Sequence, residues 1–464
     1  MKTIKQTENI SVRSLPLAMT GLMLSLLLSA LDNSVVSTAM PKIIADLKEI
    51  QHYSLPFTSY LLFSTVIIPI AGKLSDVFGR KIILLWGVVC FLLTSCLCGL
   101  SANMGMLVIF RGLQGACGGI LASSTFIVTS EIFPPQLRGK YIGILASMHG
   151  LASLLGPVAG GLITDYISWH WIFYINIPIG LIALVLLRKN LPVSEHTNAQ
   201  KKLDVKGVLM FLCTVFPFLL CFAEGGHLFS WLSPVTFSLF LISVVMLFLF
   251  LRQERRSDSP LLPVGLLNNP VFRKSAAGAS MAYIALFGLI IYVPYLVQIV
   301  SGKSASFSGM VMLPMSLSMV AGGMIGGALI SRFQRYRFQG TFNFILAMAG
   351  MGLILIFGRQ IPIPVLIVAI LLTGLGIGMN FPVINIAPQA VFPQSQLGIV
   401  ISAIEFFQIM GGVISSSVSG NLIRSSLSMV PAFCLAALSL GLICMTALNE
   451  QEIREGFVRQ ISHS

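Results

Sequence analysis

Charge is what this chain has least of. Of its 464 residues, 10% are Asp, Glu, Lys or Arg, while 56% are hydrophobic. A water-soluble domain carries about 25% charged residues, so most of this chain cannot face water. The length alone suggests several soluble domains; the apolar runs replace them with one membrane-embedded body. Other absences narrow the chemistry. Eight cysteines, Cys90, Cys96, Cys98, Cys117, Cys213, Cys221, Cys434 and Cys444, all lie in apolar runs and form no CxxC pair. They read as packing residues, with no disulfide framework and no metal set. Walker A and HExxH sequences are missing. The glycine clusters Gly374-x-Gly376-x-Gly378 and Gly322-Gly323-x-x-Gly326-Gly327 fall inside apolar runs, where they serve close helix contact rather than nucleotide binding. No nucleophile–base pair stands out, so no enzyme is expected.

What the chain has in abundance is apolar runs of spanning length, about 20 residues each. They lie at 15–40, 53–71, 82–100, 104–130, 141–163, 171–187, 206–223, 231–251, 275–298, 307–330, 341–357, 361–386, 398–420 and 428–447, fourteen in all. The first run has a basic flank but no A-x-A cleavage site, so it reads as a retained span. An even number of spans puts both termini on one side. With the N-terminus inside, 23 of the 29 Lys and Arg fall in inner segments, five in outer ones, and Arg111 within a span. This bias makes the termini cytoplasmic and explains the net charge of +13 without a nucleic-acid partner. The expected organisation is an all-α membrane protein with about 14 spans. A cytoplasmic N-terminus (1–14) precedes a six-helix half (15–188). Two additional helices with flanking cytoplasmic loops (189–274) lead to a second six-helix half (275–447) and a cytoplasmic C-terminus (448–464). Trp169, Trp171 and Tyr174 at the outer start of the sixth span read as an aromatic belt.

Three charges remain inside spans: Asp32, Arg111 and Glu405. Each costs at least ~2.5–3.5 kcal/mol in hydrocarbon, so such groups usually handle protons, ions or charged solutes. Helical spacing puts Ser25, Ser29, Asp32 and Val36 on one face, and Arg111, Gly115, Gly118 and Ala122 on another, with Gln114 at its edge. Ser402, Glu405, Gln408, Gly412 and Ser416 form a third such face. At 1.5 Å per residue, Asp32 lies about 13 Å and Arg111 about 10 Å from the outer surface, close enough in depth to interact. Glu405 lies about 10 Å from the inner surface with no basic residue in its own helix. A partnerless acid in an apolar setting suits a group that takes up and releases a proton. The plainer readings are an interhelical hydrogen bond for Asp32, a tie to backbone carbonyls for Arg111 and a neutral packed acid for Glu405. His149 reads as a packing residue, and Glu224 and His227 as solvated turn residues.

After the second run stands Gly72-Lys-Leu-Ser-Asp76-Val-Phe-Gly79-Arg80-Lys81. A partial copy, Gly327-Ala-Leu-Ile-Ser331-Arg-Phe-Gln334-Arg335, follows the tenth. Gly-to-Arg spacing is equal in both, a trace of duplicated halves. Asp76 and Arg80 stand four apart, within pairing reach on a helix. The first segment resembles the signature loop between helices 2 and 3 of the major facilitator superfamily. Leu31-Asp32 through Ala39-Met40-Pro41 resembles the first-helix motif of its fourteen-helix drug:proton antiporters. Arg111-Gly-Leu-Gln114-Gly115 is similar to the basic motif tied to proton coupling. Gly150 through Gly156-Pro157-Val-Ala-Gly160-Gly161 is similar to the antiporter motif of helix 5. Trp171-Ile-Phe-Tyr-Ile-Asn176-Ile-Pro178 resembles the branch's sixth-span signature.

The resemblance implies a proton-coupled antiporter that exports lipophilic, cationic drugs or biocides by alternating access. Asp32, Arg111 and Glu405 would handle protons and substrate, and Ser29, Gln114 and Gln408 would line the cavity. Gly72, Asp76, Gly79, Arg80, Lys81 and Glu131 would form a gating cluster. Because Ser331 and Gln334 replace the acid and the second glycine in the copy, a latch is expected on one side only. No cofactor is expected, the proton gradient being the energy source. The expected partners are membrane lipid, protons and a lipophilic small molecule, with no nucleic acid and no obligate protein. The expected location is the cell membrane. The alternative is a proton- or sodium-coupled exporter of one dedicated metabolite or antibiotic.

Overall fold

A computed structural model describes residues 14–47, 55–192, 204–224, 230, 233–257, 260–262, 264–303, 305–393, 396–425 and 428–462, and among them it is helical throughout, without a strand. In hydrocarbon each backbone N–H and C=O must be satisfied within its own segment, and the helix achieves this. The first six long helices are α1 (Ser14–Leu47), α2 (Leu55–Phe78), α3 (Arg80–Gly99), α4 (Met104–Ile132), α5 (Pro135–Tyr166) and α6 (Trp171–Asn190). Then come α7 (Val205–Glu224) and α8 (Pro234–Glu254). A second set follows: α9 (Pro270–Tyr295), α10 (Ala305–Phe333), α11 (Tyr336–Phe357), α12 (Ile363–Val391), α13 (Leu397–Ser425) and α14 (Met429–Thr446), with a terminal helix α15 (Glu450–Ser462). Among the described residues, thirteen helices are long and apolar enough to cross a membrane. The glycine-rich α5, which holds the fifth expected span, is not among the thirteen, so length and composition alone do not establish the full fourteen.

Boundaries follow local chemistry. Gly79, alone between α2 and α3, takes φ 95°, a left-handed conformation that lets the chain reverse without a loop. The Asn103 side chain accepts from Met106 N at 2.9 Å to start α4, and Asn269 caps Val271 N and Phe272 N to start α9. Proline opens α5, α8, α9 and α12, where its missing N–H costs nothing.

The two sets of six pack alike. In the first, α1 packs on α4, α5 and α6, α2 on α4, and α3 on α4 and α6. In the second, α9 packs on α12, α13 and α14, α10 on α12, and α11 on α12 and α14, which is the same set of pairings eight helices later. The halves meet along two equivalent seams, α2 on α13 and α10 on α5. The pair α7–α8 rests on the first seam through α7, while α8 turns Val235, Phe237, Phe240 and Phe248 outward as a lipid-facing surface. Trp171 is exposed as a belt residue should be, whereas Trp169 is buried, stacked on His170 at 3.7 Å, and belongs to the core instead.

Both seams are tight near the Gly72–Lys81 segment and the Arg332–Arg335 turn, and the α5–α10 seam stays tight as far as Gly150, which lies against Val320 and the Ser316 carbonyl. A Cβ at Gly72 would overlap Ser402, one at Gly143 would overlap the Gly323 carbonyl, and one at Gly327 would overlap the Gly139 carbonyl. Only glycine lets these backbones touch. Further along α5, by contrast, a Cβ added at Gly161 would meet nothing within 4 Å. Gly143→Ile is therefore expected to destabilise the folded protein by ~1–3 kcal/mol through overpacking and to push the seam apart. Gly161→Ala should leave stability unchanged or slightly higher. Thermal unfolding in detergent, with spin-label distances across α5 and α10, reads both; equal behaviour of the two variants would contradict this account of the seam.

Candidate functional site

Asp32 on α1 and Arg111 on α4 are both buried and form an ion pair through Oδ2 and Nη1. Their similar depth in neighbouring helices is what brings them together. The other carboxylate oxygen, Oδ1, accepts from Gln114 Nε2 at 2.9 Å and from Asn176 Nδ2 at 3.0 Å. Arg111 Nη1 also donates to Gln114 Oε1 at 2.8 Å. Ser95 on α3 accepts from Gln114 Nε2 at 3.0 Å and Asn176 Nδ2 at 2.9 Å, and donates to the Phe173 carbonyl at 3.0 Å. One polar cluster, in which both carboxylate oxygens of Asp32 are met, thus joins α1, α3, α4 and α6. In an interior without water, each of these bonds offsets part of the cost of burying the two charges.

Gln114 is expected on a cavity wall but sits inside this cluster, fully buried, with its amide committed to Asp32 and Ser95. Ser29 is also buried, and its hydroxyl donates to the Leu26 carbonyl of its own helix at 3.1 Å. Sequence reasoning missed Ser95 and, as a site residue, Asn176. The available signal was a lone amide inside the sixth apolar run.

Glu405 is placed differently. It is buried on α13 at 6% exposure, forms no ion pair among the described residues, and its Oε2 has no hydrogen-bond partner there. Gln408, one turn on, is also buried, with Nε2 lacking a partner among the described residues. Tyr283 of α9 is near enough to Glu405 to interact electrostatically. The structure therefore separates two acids that the sequence treats alike, one saturated by neighbouring groups and one with an oxygen left over. His149 on α5 approaches Phe381 of α12, ring centroids 6.4 Å apart, and Phe381 also meets Phe126 of α4 at 5.5 Å, an aromatic contact between the halves.

The loop residues cluster as their spacing implies. Arg80 pairs with Asp76 at 3.4 Å and with Glu131, at the end of α4, at 3.2 Å. The Asp76 carboxylate lies against the backbone of Gly398 in the first turn of α13, where the positive end of the helix dipole favours it. Lys81 donates to the Leu191 carbonyl after α6. The other seam carries no such charged cluster among the described residues. Ser331 Oγ accepts from Lys140 N near the start of α5 at 3.1 Å, so the copy keeps an uncharged version of the same contact. In the helix-5 motif, Gly156 packs on Ser34, Gly160 is buried and Gly161 faces open space; the Pro157 side chain, like those of Glu224 and His227, lies outside the described residues.

Two six-helix halves with equivalent pairings, and charges enclosed between spans, define a multi-pass membrane transporter rather than an enzyme. The Major Facilitator Superfamily model matches residues 22–416, and the chain belongs to that family. It is 36% identical over 421 residues to the multidrug transporter protein MdtP of Bacillus subtilis, covering 89% of this chain and 77% of that one. It is 34% identical to multidrug resistance protein 3 of the same organism, covering 79% of this chain and 71% of that one. Among solved structures it resembles the human organic anion transporter MFSD10, with TM-score 0.70 at 14% identity, covering 93% and 99% of the two chains. The proton:xylose symporter XylE gives TM-score 0.65 at 17% identity, covering 92% and 94%. At such identities these two likenesses speak for the fold alone.

The cluster makes a clear energetic prediction. Asp32→Asn leaves Arg111 as an uncompensated buried cation and should cost ~3–5 kcal/mol. Asp32→Asn combined with Arg111→Met removes both charges and should recover much of that loss. Thermal unfolding of the single and double variants reads the coupling; additive losses would show that the pair is not a unit.

Proposed function

We propose that this protein exports lipophilic cationic compounds in exchange for protons, with Glu405 as the acid at which proton and substrate compete. The observation that carries this reading is the contrast between the two buried acids. Asp32 already has its countercharge in Arg111, so an arriving cation gains little from it. Glu405 has no ion-pair partner among the described residues, so a proton or a substrate cation can neutralise it, and each displaces the other. The names of the relatives, a multidrug transporter and a multidrug resistance protein, support outward transport of more than one compound. Met and aromatic side chains of the spans supply adaptable contact surface for varied lipophilic bodies.

In this reading the Lys- and Arg-rich loops and both termini are cytoplasmic and the protein resides in the cell membrane. The described seams, closed at the loop end, then correspond to a state shut toward the cytoplasm. The halves 15–188 and 275–447 rock about the site, and the Asp76–Arg80–Glu131 cluster holds the shut state. Asp32, Arg111 and Gln114 act as a coupling unit that keeps the first half rigid. No cofactor takes part, and the ion gradient supplies the energy.

The test is transport of a quaternary ammonium dye by proteoliposomes under an imposed pH gradient. Wild type should show dye movement coupled to counter-movement of protons. Glu405→Gln should lower it by about 30-fold or more, the scale of removing one member of a buried charge pair. Retention of full pH-driven exchange by that variant would overturn the assignment. Coupling to sodium in place of protons, or movement of one metabolite and no dye, would favour the alternative exporter.

A further inference from the structure

The ion pair leaves part of Arg111 unanswered. Nη1 serves both Asp32 and Gln114, but Nε and Nη2 are buried with no hydrogen-bond partner among the described residues. Donors of a charged group in a dry interior are expensive to leave unmet. The guanidinium group itself lies over an aromatic ring. The guanidinium carbon is 4.3 Å from the ring centroid of Tyr60 on α2, with Phe173 further away at 5.9 Å. A cation over an aromatic face is attracted by the ring's quadrupole, most strongly where water is excluded. Tyr60 itself is buried, at 2% exposure.

Its position is built rather than incidental. Gly115 lies against the Tyr60 backbone and Gly118 against its hydroxyl, so a Cβ at either glycine would overlap this residue. The glycine stripe on the Arg111 face of α4 is therefore a groove that seats one tyrosine. The phenol hydroxyl reaches the Ser29 carbonyl on α1 at only 3.4 Å, a long and weak bond. The ring face, not the hydroxyl, makes the main polar contact.

We propose that Tyr60 is the positioning residue for Arg111: its ring face holds the guanidinium group that Asp32 satisfies only in part, and so joins the buried ion pair to α2. The proposal rests on Arg111 being part of the coupling unit assigned above. Its consequence is mechanical. Tyr60 and Asp76 lie on the same helix, sixteen residues or about 24 Å apart, with Pro69 between them as a point where the helix can bend. Asp76 closes the loop-end contact with α13, so α2 carries the ion pair's arrangement to that contact.

The experiment replaces Tyr60 in the full-length chain with phenylalanine and then with mono-, di- and trifluorinated phenylalanines by codon suppression. Fluorine weakens the ring's negative face while changing its size little, so a packing role and a cation–π role separate. Transport should survive Tyr60→Phe and then fall stepwise, by roughly tenfold at the trifluorinated ring. The unfolding temperature in detergent should fall in the same order when Arg111 is present, and the trend should vanish in the Arg111→Met background. A flat series in either readout, or an equal trend without Arg111, overturns the proposal. If wild type shows no proton-coupled exchange, the reading of function fails, while the unfolding series still decides whether Tyr60 holds Arg111.

Discussion

Asp32 and Arg111 are charged, enclosed and out of reach of water, and each makes the burial of the other tolerable. Everything near them is arranged around that requirement. Gln114 and Asn176 bond the pair from two different helices, and Ser95, from a third, accepts from both of those amides. Because a dry interior penalises any unmet polar atom, displacing one of these helices disturbs the bonds of all the others. The first half is therefore stiff for an electrostatic reason as well as a steric one. In the proposed cycle a stiff half confines motion to the boundary between halves.

That boundary is built from the opposite material. Where the halves touch near the loops there are glycines and serines: Gly72 on Ser402, Gly139 and Gly143 on Gly327 and Gly323. Small residues let backbones approach closely and part again without unpacking interlocked side chains. The few polar contacts that cross there reach backbone: Asp76 lies against Gly398 at the start of α13, and Ser331 accepts from Lys140 N at the start of α5. The two seams are equivalent in geometry and unequal in charge. One is held by an acid within an Asp–Arg–Glu cluster, the other by a hydroxyl.

Much of this was legible in the sequence because membrane chains encode it coarsely. Apolar runs must be long, basic residues must gather on one side, and charges inside spans must be few and purposeful. Hence the helical fold, the doubled halves and the pairing of residues 32 and 111 could be read from spacing and depth. The Asp76–Arg80 pair was legible from its four-residue spacing, and the place of Glu131 beside it from the family resemblance. Tyr60, Ser95 and the role of Asn176 were not legible. A single Tyr, Ser or Asn in a span is compatible with lipid, packing or a site, and only three-dimensional proximity decides. The contact of Ser331 was also not legible, for a different reason. The contact it makes uses a backbone N–H, so a hydroxyl can replace a carboxylate at the same place without losing the link.

The remaining asymmetry lies within α13. Gly398, Ser402 and Glu405 follow one another along one face of that helix, at intervals of four and three residues. The first two touch α2 at the seam; the third is the acid without a countercharge among the described residues. Glu405 thus stands about 10 Å along the same rigid helix from the Asp76 contact. In the proposed cycle, neutralising Glu405 changes how comfortably α13 sits in the closed interior, and that change is felt at its first turn, where Asp76 leans on it. Tyr60 makes α2 the matching element on the other side of the seam. In that cycle the two helices of this seam are the same two that contact the charges: α2 through Tyr60 on the buried pair, α13 through an acid whose state can change. Such an arrangement needs no separate relay between site and gate, because each helix is at once a wall of one and a jaw of the other.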